Sequence, residues 1–350
     1  MKTMNIITKV FTALLGVVCL AGCYNEDISY ADYPVKSIYF PYQYPVRTLS
    51  LGNDLVDNSL DRQHKFNIGV VVGGYYKTNK QDWTVNFTVD ESIVPDNLYN
   101  ADNEKIEVLP SEYYTLNPES SVVIPKGSFS GLIEVQLTEE FFKQPEAVKG
   151  NWVIPVVITS VQEPAVLISG TAKEGVGSPN IHVATDWDVL PMHYTLFGVK
   201  FVNKYHGSWL RRGERIVRNV AGEVVSTDTY RKEYVEWDEV VSLNTASLSS
   251  FSTKLNVKDE NWTLIVSEGE GNNLDVKSAP ESSIVITDGF GLYKENGDSW
   301  GGTPENPARR DAIYLNYFYD RADGSRCEVL DTLVFRDRGI VIETSRPELK

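Results

Sequence analysis

The side chains best able to do chemistry are few and scattered along the chain. His64, His182, His193 and His206 are the four histidines. None forms His-Glu-x-x-His or a His-x3-His pair, the spacings that place two rings on one metal. No metal site and no cofactor is therefore expected. In Gly127-Ser128-Phe129-Ser130-Gly131 the second serine stands one place late for a nucleophile elbow, and the run reads as a turn. No glycine-rich phosphate loop follows a strand, and no Asp-x-Asp-x-Asp-Gly loop marks a calcium hand. Scattered loop oxygens remain open as calcium ligands. Glycoside hydrolysis needs two carboxylates across a cleft, but the 48 acids single out no pair by their neighbourhoods. No catalytic residue is assigned, and the chain is expected not to be an enzyme.

Sugar binding has a softer signature: flat rings in polar surroundings for the apolar face of a pyranose, with Asp, Asn, Gln and Arg for its hydroxyls. The best match is Lys294-Glu295-Asn296-Gly297-Asp298-Ser299-Trp300-Gly301-Gly302. Trp300 would be the platform, Tyr293 a second ring, and Asn296 and Asp298 the hydroxyl partners. The alternative for Trp300 is a plug folded back into a core. Trp209 and Trp237 lie in strand-like runs and are expected in the core. Trp187, between two aspartates, is expected to pin one domain on another or to line the cleft between them. Tyr42 and Tyr44 are either exposed or cover a sheet edge. Arg309-Arg310 could face acidic sugars, but pairing with nearby acids is the favoured reading.

Charge narrows the partners. The 33 basic and 48 acidic residues leave −15. That argues against nucleic acid and against a polybasic membrane patch. It also makes neutral glycans easier partners than acidic ones. Residues 1–22 read as a leader: Lys2 and Lys9 flank a short apolar run at 10–20, too short to span a bilayer. The run ends in Leu20-Ala21-Gly22-Cys23, which looks like a bacterial lipobox. In such a motif the cysteine thiol is acylated and becomes the first residue, giving a lipid anchor on Cys23. Losing Lys2 and Lys9 takes the remaining charge to −17. Tyr24-Asn25-Glu26-Asp27 opens an acidic linker over 23–34 and resembles a surface-export signal of Bacteroidota lipoproteins. Of the three cysteines, Cys19 leaves with the leader and Cys327 is expected to be a small core hydrophobe.

The elements that must position these side chains read as strands throughout. In 131–137, Ile133, Val135 and Leu137 alternate with Glu134 and Gln136. Turn residues separate several such runs up to about residue 160, as in a sandwich. Loop chemistry over 163–191 suggests a domain boundary, giving a sandwich at 35–188 and a second β domain at 189–350. Strands are expected there at 194–203, 207–218, 229–242, 250–257, 262–268, 283–288, 312–319, 327–335 and 340–344. In the eighth, Val329, Leu333 and Phe335 share a face on which Asp331 is the exception. Nine such strands suit a small up-and-down barrel, whose closure removes exposed edges.

Two longer stretches resemble a known family. Leu109-Pro110-Ser111-Glu112-Tyr113-Tyr114-Thr115-Leu116, Val122-Val123-Ile124-Pro125-Lys126-Gly127 and Trp152-Val153-Ile154-Pro155-Val156-Val157-Ile158 are similar to the immunoglobulin-like N-terminal domain of Bacteroidota surface lipoproteins. Ile313-Tyr314-Leu315-Asn316-Tyr317 and Asp331-Thr332-Leu333-Val334-Phe335-Arg336-Asp337-Arg338-Gly339 look like their lipocalin-like barrel. The resemblance implies an all-β chain, an immunoglobulin-like β-sandwich followed by a lipocalin-like antiparallel β-barrel. It implies a glycan-binding accessory to an outer-membrane polysaccharide transporter. The alternatives are a structural or protein-interaction subunit of an outer-membrane complex and, last, a glycoside hydrolase.

Overall fold

The computed structural model describes residues 29–303 and 305–350. The expected leader, Cys23 and the first part of the acidic linker lie outside the described residues.

The first body contains β1 (Ser37–Tyr39), β2 (Pro45–Ser50), β3 (Lys65–Gly73), β4 (Trp83–Val89), β5 (Leu98–Tyr99), β6 (Glu107–Val108) and β7 (Tyr114–Asn117). It continues with β8 (Ser121–Ile124), β9 (Ser130–Leu137), β10 (Trp152–Val161), β11 (Val166–Leu167), β12 (Thr171–Ala172), β13 (Trp187–Val189) and β14 (Tyr194–Val202). One sheet runs β11-β1-β3-β9-β7, and the facing sheet contains β2-β14-β10-β4-β8. Alternation decides which side chains meet between them. Phe66, Ile68, Val70, Ile133 and Val135 of one sheet share a core with Trp83, Val85, Phe87, Ile154 and Val156 of the other. Each contributes about 1.5–3 kcal/mol on burial.

The second body is the expected barrel. Its strands are β15 (Gly207–Arg218), β16 (Val224–Tyr230), β17 (Glu239–Ser247), β18 (Ser250–Val257), β19 (Glu260–Glu268), β20 (Asn273–Ser278), β21 (Ile286–Thr303), β22 (Asn306–Asp320) and β23 (Arg326–Asp337). Eight of them pair in the order β15-β17-β18-β19-β20-β21-β22-β23, and β23 closes antiparallel on β15 from Ser208↔Asp337 to Arg218↔Arg326. Strand β16 pairs with the far end of the β15 edge that β17 also uses. The chain is thus all-β, with a two-sheet sandwich and a closed antiparallel barrel.

Several expected strands are placed differently. The 194–203 strand does not open the barrel. As β14 it pairs antiparallel with β10 and parallel with β2, and Phe201 and Val199 enter the sandwich core. The changeover between the two cores therefore falls after Val202, beyond the expected boundary at 188/189. The 229–242 run is broken by a single 3-10 turn at Val235–Trp237. Asp238 makes that break, since its carboxylate takes the Lys232 N–H at 2.7 Å and the Arg212 guanidinium. The 340–344 strand leaves the barrel as well. β24 (Glu343–Thr344) pairs with β2, and β25 (Glu348–Leu349) with β5. Lys200 holds Glu343 at 2.7 Å, and Leu349 packs on a small cluster of Leu98, Ile106, Val153 and Leu196. The barrel is thus strapped back onto the sandwich. No helix among the described residues is long and apolar enough to cross a membrane.

Candidate functional site

The barrel interior is filled by side chains, as eight strands permit. Trp209, Trp262, Tyr317 and Phe251 are buried in it. Asp331, the exception in its strand, has a partner on the neighbouring strand β15. Arg211 of β15 donates from Nε to Asp331 Oδ1 at 2.7 Å and from Nη2 to Oδ2 at 3.2 Å. Tyr230 and Tyr317 hydroxyls donate to the same carboxylate at 2.7 and 2.8 Å, and Trp262 Nε1 donates to Tyr317. Burial alone would pull the Arg211 guanidinium down, and Asp331 with the Tyr317 and Tyr230 hydroxyls more than reverses it. Nearer one end, Arg215 pairs with Asp228 and Glu260. Glu260 also lines an open cleft of ≈ 690 Å³ at that end, with Tyr319, Arg321 and Asp323. Its carboxylate is already held by Arg215, Arg321 and Tyr319. Cys327 is a free, buried cysteine of this interior, as expected.

A second cleft, of ≈ 330 Å³, lies where the sandwich meets the barrel, between the 53–62 segment and the β21–β22 hairpin. Arg338 lies behind it, bracing two of its lining residues, Asn53 and Phe335. It is buried, and donates to Asn53 O at 2.7 Å, Lys204 O at 2.6 Å and His206 O at 2.7 Å, with the Phe335 ring 4.3 Å below its guanidinium. No carboxylate among the described residues pairs with it, and burial pulls its affinity for the proton down. Gly52 is required beside it, because a Cβ there would come within 2.4 Å of Arg338 and 2.6 Å of the Lys204 backbone. Asn58 fixes the loop from the other side, donating to Ser50 O at 2.9 Å and Gly52 O at 2.6 Å. Asp61 accepts from Ser50 N at 2.9 Å and from Arg47; burial nevertheless raises its pKa. The short helix Ser59–Arg62 then presents Arg62 to the cleft.

The opposite wall comes from a break in the β21–β22 register. Lys294 faces Ala312 and Asp298 faces Arg310, so Glu295, Asn296 and Gly297 bulge out. Asn296 takes φ +49 and gives its N–H to Asp311 Oδ1 at 3.0 Å. Gly297 is needed there, since a Cβ would sit 2.8 Å from Lys294 O and 3.0 Å from Ala312 Cβ. The expected glycine-rich loop at 294–302 is therefore a bulged extension of β21.

Of the proposed sugar-binding residues, Asn296 lines the cleft. Tyr293 does not offer a ring. It is buried in the barrel core and its hydroxyl donates to Asp311 Oδ2 at 2.7 Å; burial and this bond push its pKa well up. Asp298 is half-buried and accepts the Ser299 N–H at 2.7 Å. Trp300 is neither a free platform nor a plug. A second shift in the register, between Ser299 and Gly301, turns it onto the outer wall of the barrel. There it packs on Leu210, Val235 and Val334, and the Arg310 guanidinium lies over its ring at 4.9 Å. Among the described residues, the favoured pairing of Arg309 and Arg310 with nearby acids is not formed. Arg309 instead donates to Asn296 O at 3.1 Å.

Trp237, expected in the core, is 63 % exposed, and Tyr234, 52 % exposed, packs edge-on against it at 4.8 Å. The two flank Val235, which touches Trp300. The exposed pair is thus linked through the buried Val235 cluster to Trp300, and Trp300 through Arg310 to the cleft. Sequence periodicity missed the exposed pair because Tyr234 and Trp237 sit in what reads as strand. The polar Arg231-Lys232-Glu233 run just before them was the available signal. Trp187 lines neither of these two clefts. It packs on Gly170 and its Nε1 donates to Asn180 O at 2.8 Å, within the first body. Among the described residues no three His, Cys, Asp or Glu side chains gather to hold a metal.

A family model described as an N-terminal domain matches residues 33–165, and one for a domain of unknown function, DUF5627, matches 204–339. No curated protein matches. The crystal structure of a Bacteroides ovatus protein of unknown function superposes with a TM-score of 0.79 at 35% identity, covering 91% of this chain and 100% of that one. A multidomain Bacteroides ovatus protein including DUF1735 aligns at a TM-score of 0.40 and 14% identity, covering 87% and 96% of the two chains.

Proposed function

The chain belongs to the family of the Bacteroides ovatus protein of unknown function that it matches over that protein's whole length, and we propose that it is a surface lipoprotein that binds glycans. In this reading Cys23 carries the lipid in the outer membrane, and the two β bodies stand outside the cell beside a polysaccharide transporter. The observation that supports glycan binding is the exposed Tyr234–Trp237 pair, on the same barrel wall as Trp300, whose partner Arg310 lines a cleft of amide, carboxylate and guanidinium groups. A tryptophan 63 % exposed costs solvation without helping the core. A sugar ring laid on it recovers that apolar area, while planar polar groups meet the hydroxyls. The barrel interior is full, so the ligand lies on the outside of the barrel.

Affinity electrophoresis and calorimetry over a panel of polysaccharides test the reading. Trp237→Ala is expected to weaken binding about tenfold, the loss of about 1.4 kcal/mol. Binding to no polysaccharide, or binding indifferent to Trp237, removes it. The anchor is tested separately, by palmitate labelling and protease shaving of intact cells. Cys23→Ala is expected to abolish both label and surface display.

A further inference from the structure

We infer that the interdomain cleft takes an acidic saccharide, one whose ring carries a carboxylate. The inference rests on the glycan-binding reading and names its ligand class. It starts from an imbalance. The chain carries −15, and the barrel's arginines 211, 212, 215 and 321 are each ion-paired. Yet Arg62, Arg309 and Arg310 converge on one cleft of ≈ 330 Å³, and none has a carboxylate within ion-pair distance among the described residues. Asp298 even stands opposite Arg310 in the register, but that guanidinium is turned onto the Trp300 ring.

The carboxylates of the cleft are committed in part. Asp311 holds the Tyr293 hydroxyl on one oxygen and the Asn296 N–H on the other. Asp57 accepts the Ser59 N–H at 3.0 Å, Asp54 the Leu55 N–H at 2.6 Å, and Glu295 is held by Asn53 at 2.9 Å. The positive field of Arg338 reaches Asp54 and Asp311 from below. Asp57 feels the charge of Arg62 and Arg309 spends its Nε on Asn296 O, but guanidinium groups with no carboxylate at ion-pair distance keep donors that match a planar carboxylate in two parallel hydrogen bonds. The Trp300 ring keeps Arg310 in place, so little rotamer freedom is left to lose on binding. The overall negative charge favoured neutral glycans, but it acts from a distance. At physiological salt the Debye length is about 8 Å, so the three local guanidinium groups decide the selectivity.

The test uses the lipid-free chain from residue 24 and three uronate polymers: polygalacturonate, alginate and hyaluronan. Each is paired with its carboxyl-reduced, neutral counterpart, and dextran sulfate is a further arm. At least one uronate polymer is expected to bind at least tenfold tighter than its reduced form. Arg310→Gln, and Arg62→Gln with Arg309→Gln, are expected to remove that preference with melting temperatures within about 2 °C of wild type. Arg310→Lys, which keeps charge without the fork, is expected to restore it only in part. Equal affinity for a polymer and its reduced form, with Trp237→Ala still weakening both, overturns the acidic-ligand inference and leaves glycan binding standing. Dextran sulfate binding as tightly as any uronate replaces the sugar carboxylate with general polyanion attraction. Binding to no polymer of this or the neutral panel overturns both readings.

Discussion

Two groups of arginines in this protein have opposite surroundings. Arg211 and Arg215 sit inside the barrel, almost fully buried, each with carboxylate partners. Arg62, Arg309 and Arg310 sit at the domain junction, in contact with solvent and without such partners. The difference separates structure from recognition. A guanidinium taken out of water needs every donor answered, so a buried arginine is surrounded by its own protein. An exposed one whose neighbours leave it unanswered keeps its donors for something else. Arg338 lies between the groups: buried like the first, it sits at the junction with the second, and its donors all go to backbone carbonyls. It carries no ligand, but it sets where the cleft is.

Breaking the first group should give the largest effect. Asp331→Ala leaves Arg211 buried with only the part-exposed Glu239, at 3.3 Å, as a carboxylate partner, at a cost of about 3 kcal/mol. The melting temperature should fall by on the order of 10 °C. Arg211→Met together with Asp331→Leu should recover much of that, because the desolvation cost leaves with the charges. A thermal melt unchanged by Asp331→Ala would erase the distinction between the two groups. Arg338→Met comes next. It strips charged donors from three carbonyls, for about 2–3 kcal/mol. Urea unfolding should report that loss, and hydrogen exchange should quicken at the amides of 53–58 first.

The junction should also respond to pH through His206. Burial, and then Arg338 and Lys200, push its pKa down to about 4. Its Nδ1 accepts the Thr245 N–H at 3.3 Å, which needs the unprotonated nitrogen. The unfolded chain takes up a proton near 6.5 and the folded one does not until about 4. Stability is therefore whole above pH 6.5 and falls as the pH drops through that window, by on the order of 2 kcal/mol once partial exposure is discounted. His206→Gln should flatten this slope in pH-resolved unfolding; an equally steep slope would assign the acid sensitivity elsewhere. The smallest effect belongs to the second group. Arg309→Gln should change stability by less than about 0.5 kcal/mol, although it faces the cleft. A larger loss would make it a structural arginine after all.

The sequence makes the fold class readable because alternation is local. Ile133, Val135 and Leu137 are buried as their spacing requires, and the barrel's last hairpins follow the same rule. Asp331 was legible as an anomaly, and the anomaly marked a real feature, though not its partner 120 residues away. The candidate site was less legible. Asn296 lines the cleft, whereas Tyr293 is core and Trp300, open in the sequence between platform and plug, is neither, because the glycine-rich run that reads as a loop is strand. Trp237 reads as core because its neighbours read as strand.

By itself, then, the sequence determined that the chain is built of strands, that it forms two bodies, and which faces of those strands are apolar. Period-two burial depends only on neighbours along the chain. The tertiary structure alone decided that β14 completes the sandwich rather than the barrel, since its partner β2 lies some 150 residues earlier. It alone decided that the 340–350 segment returns as a strap, that Trp237 faces solvent, and that three arginines meet unpaired. Each of those is a matter of what comes beside a residue from far along the chain, and pairing between distant segments leaves no mark in local spacing.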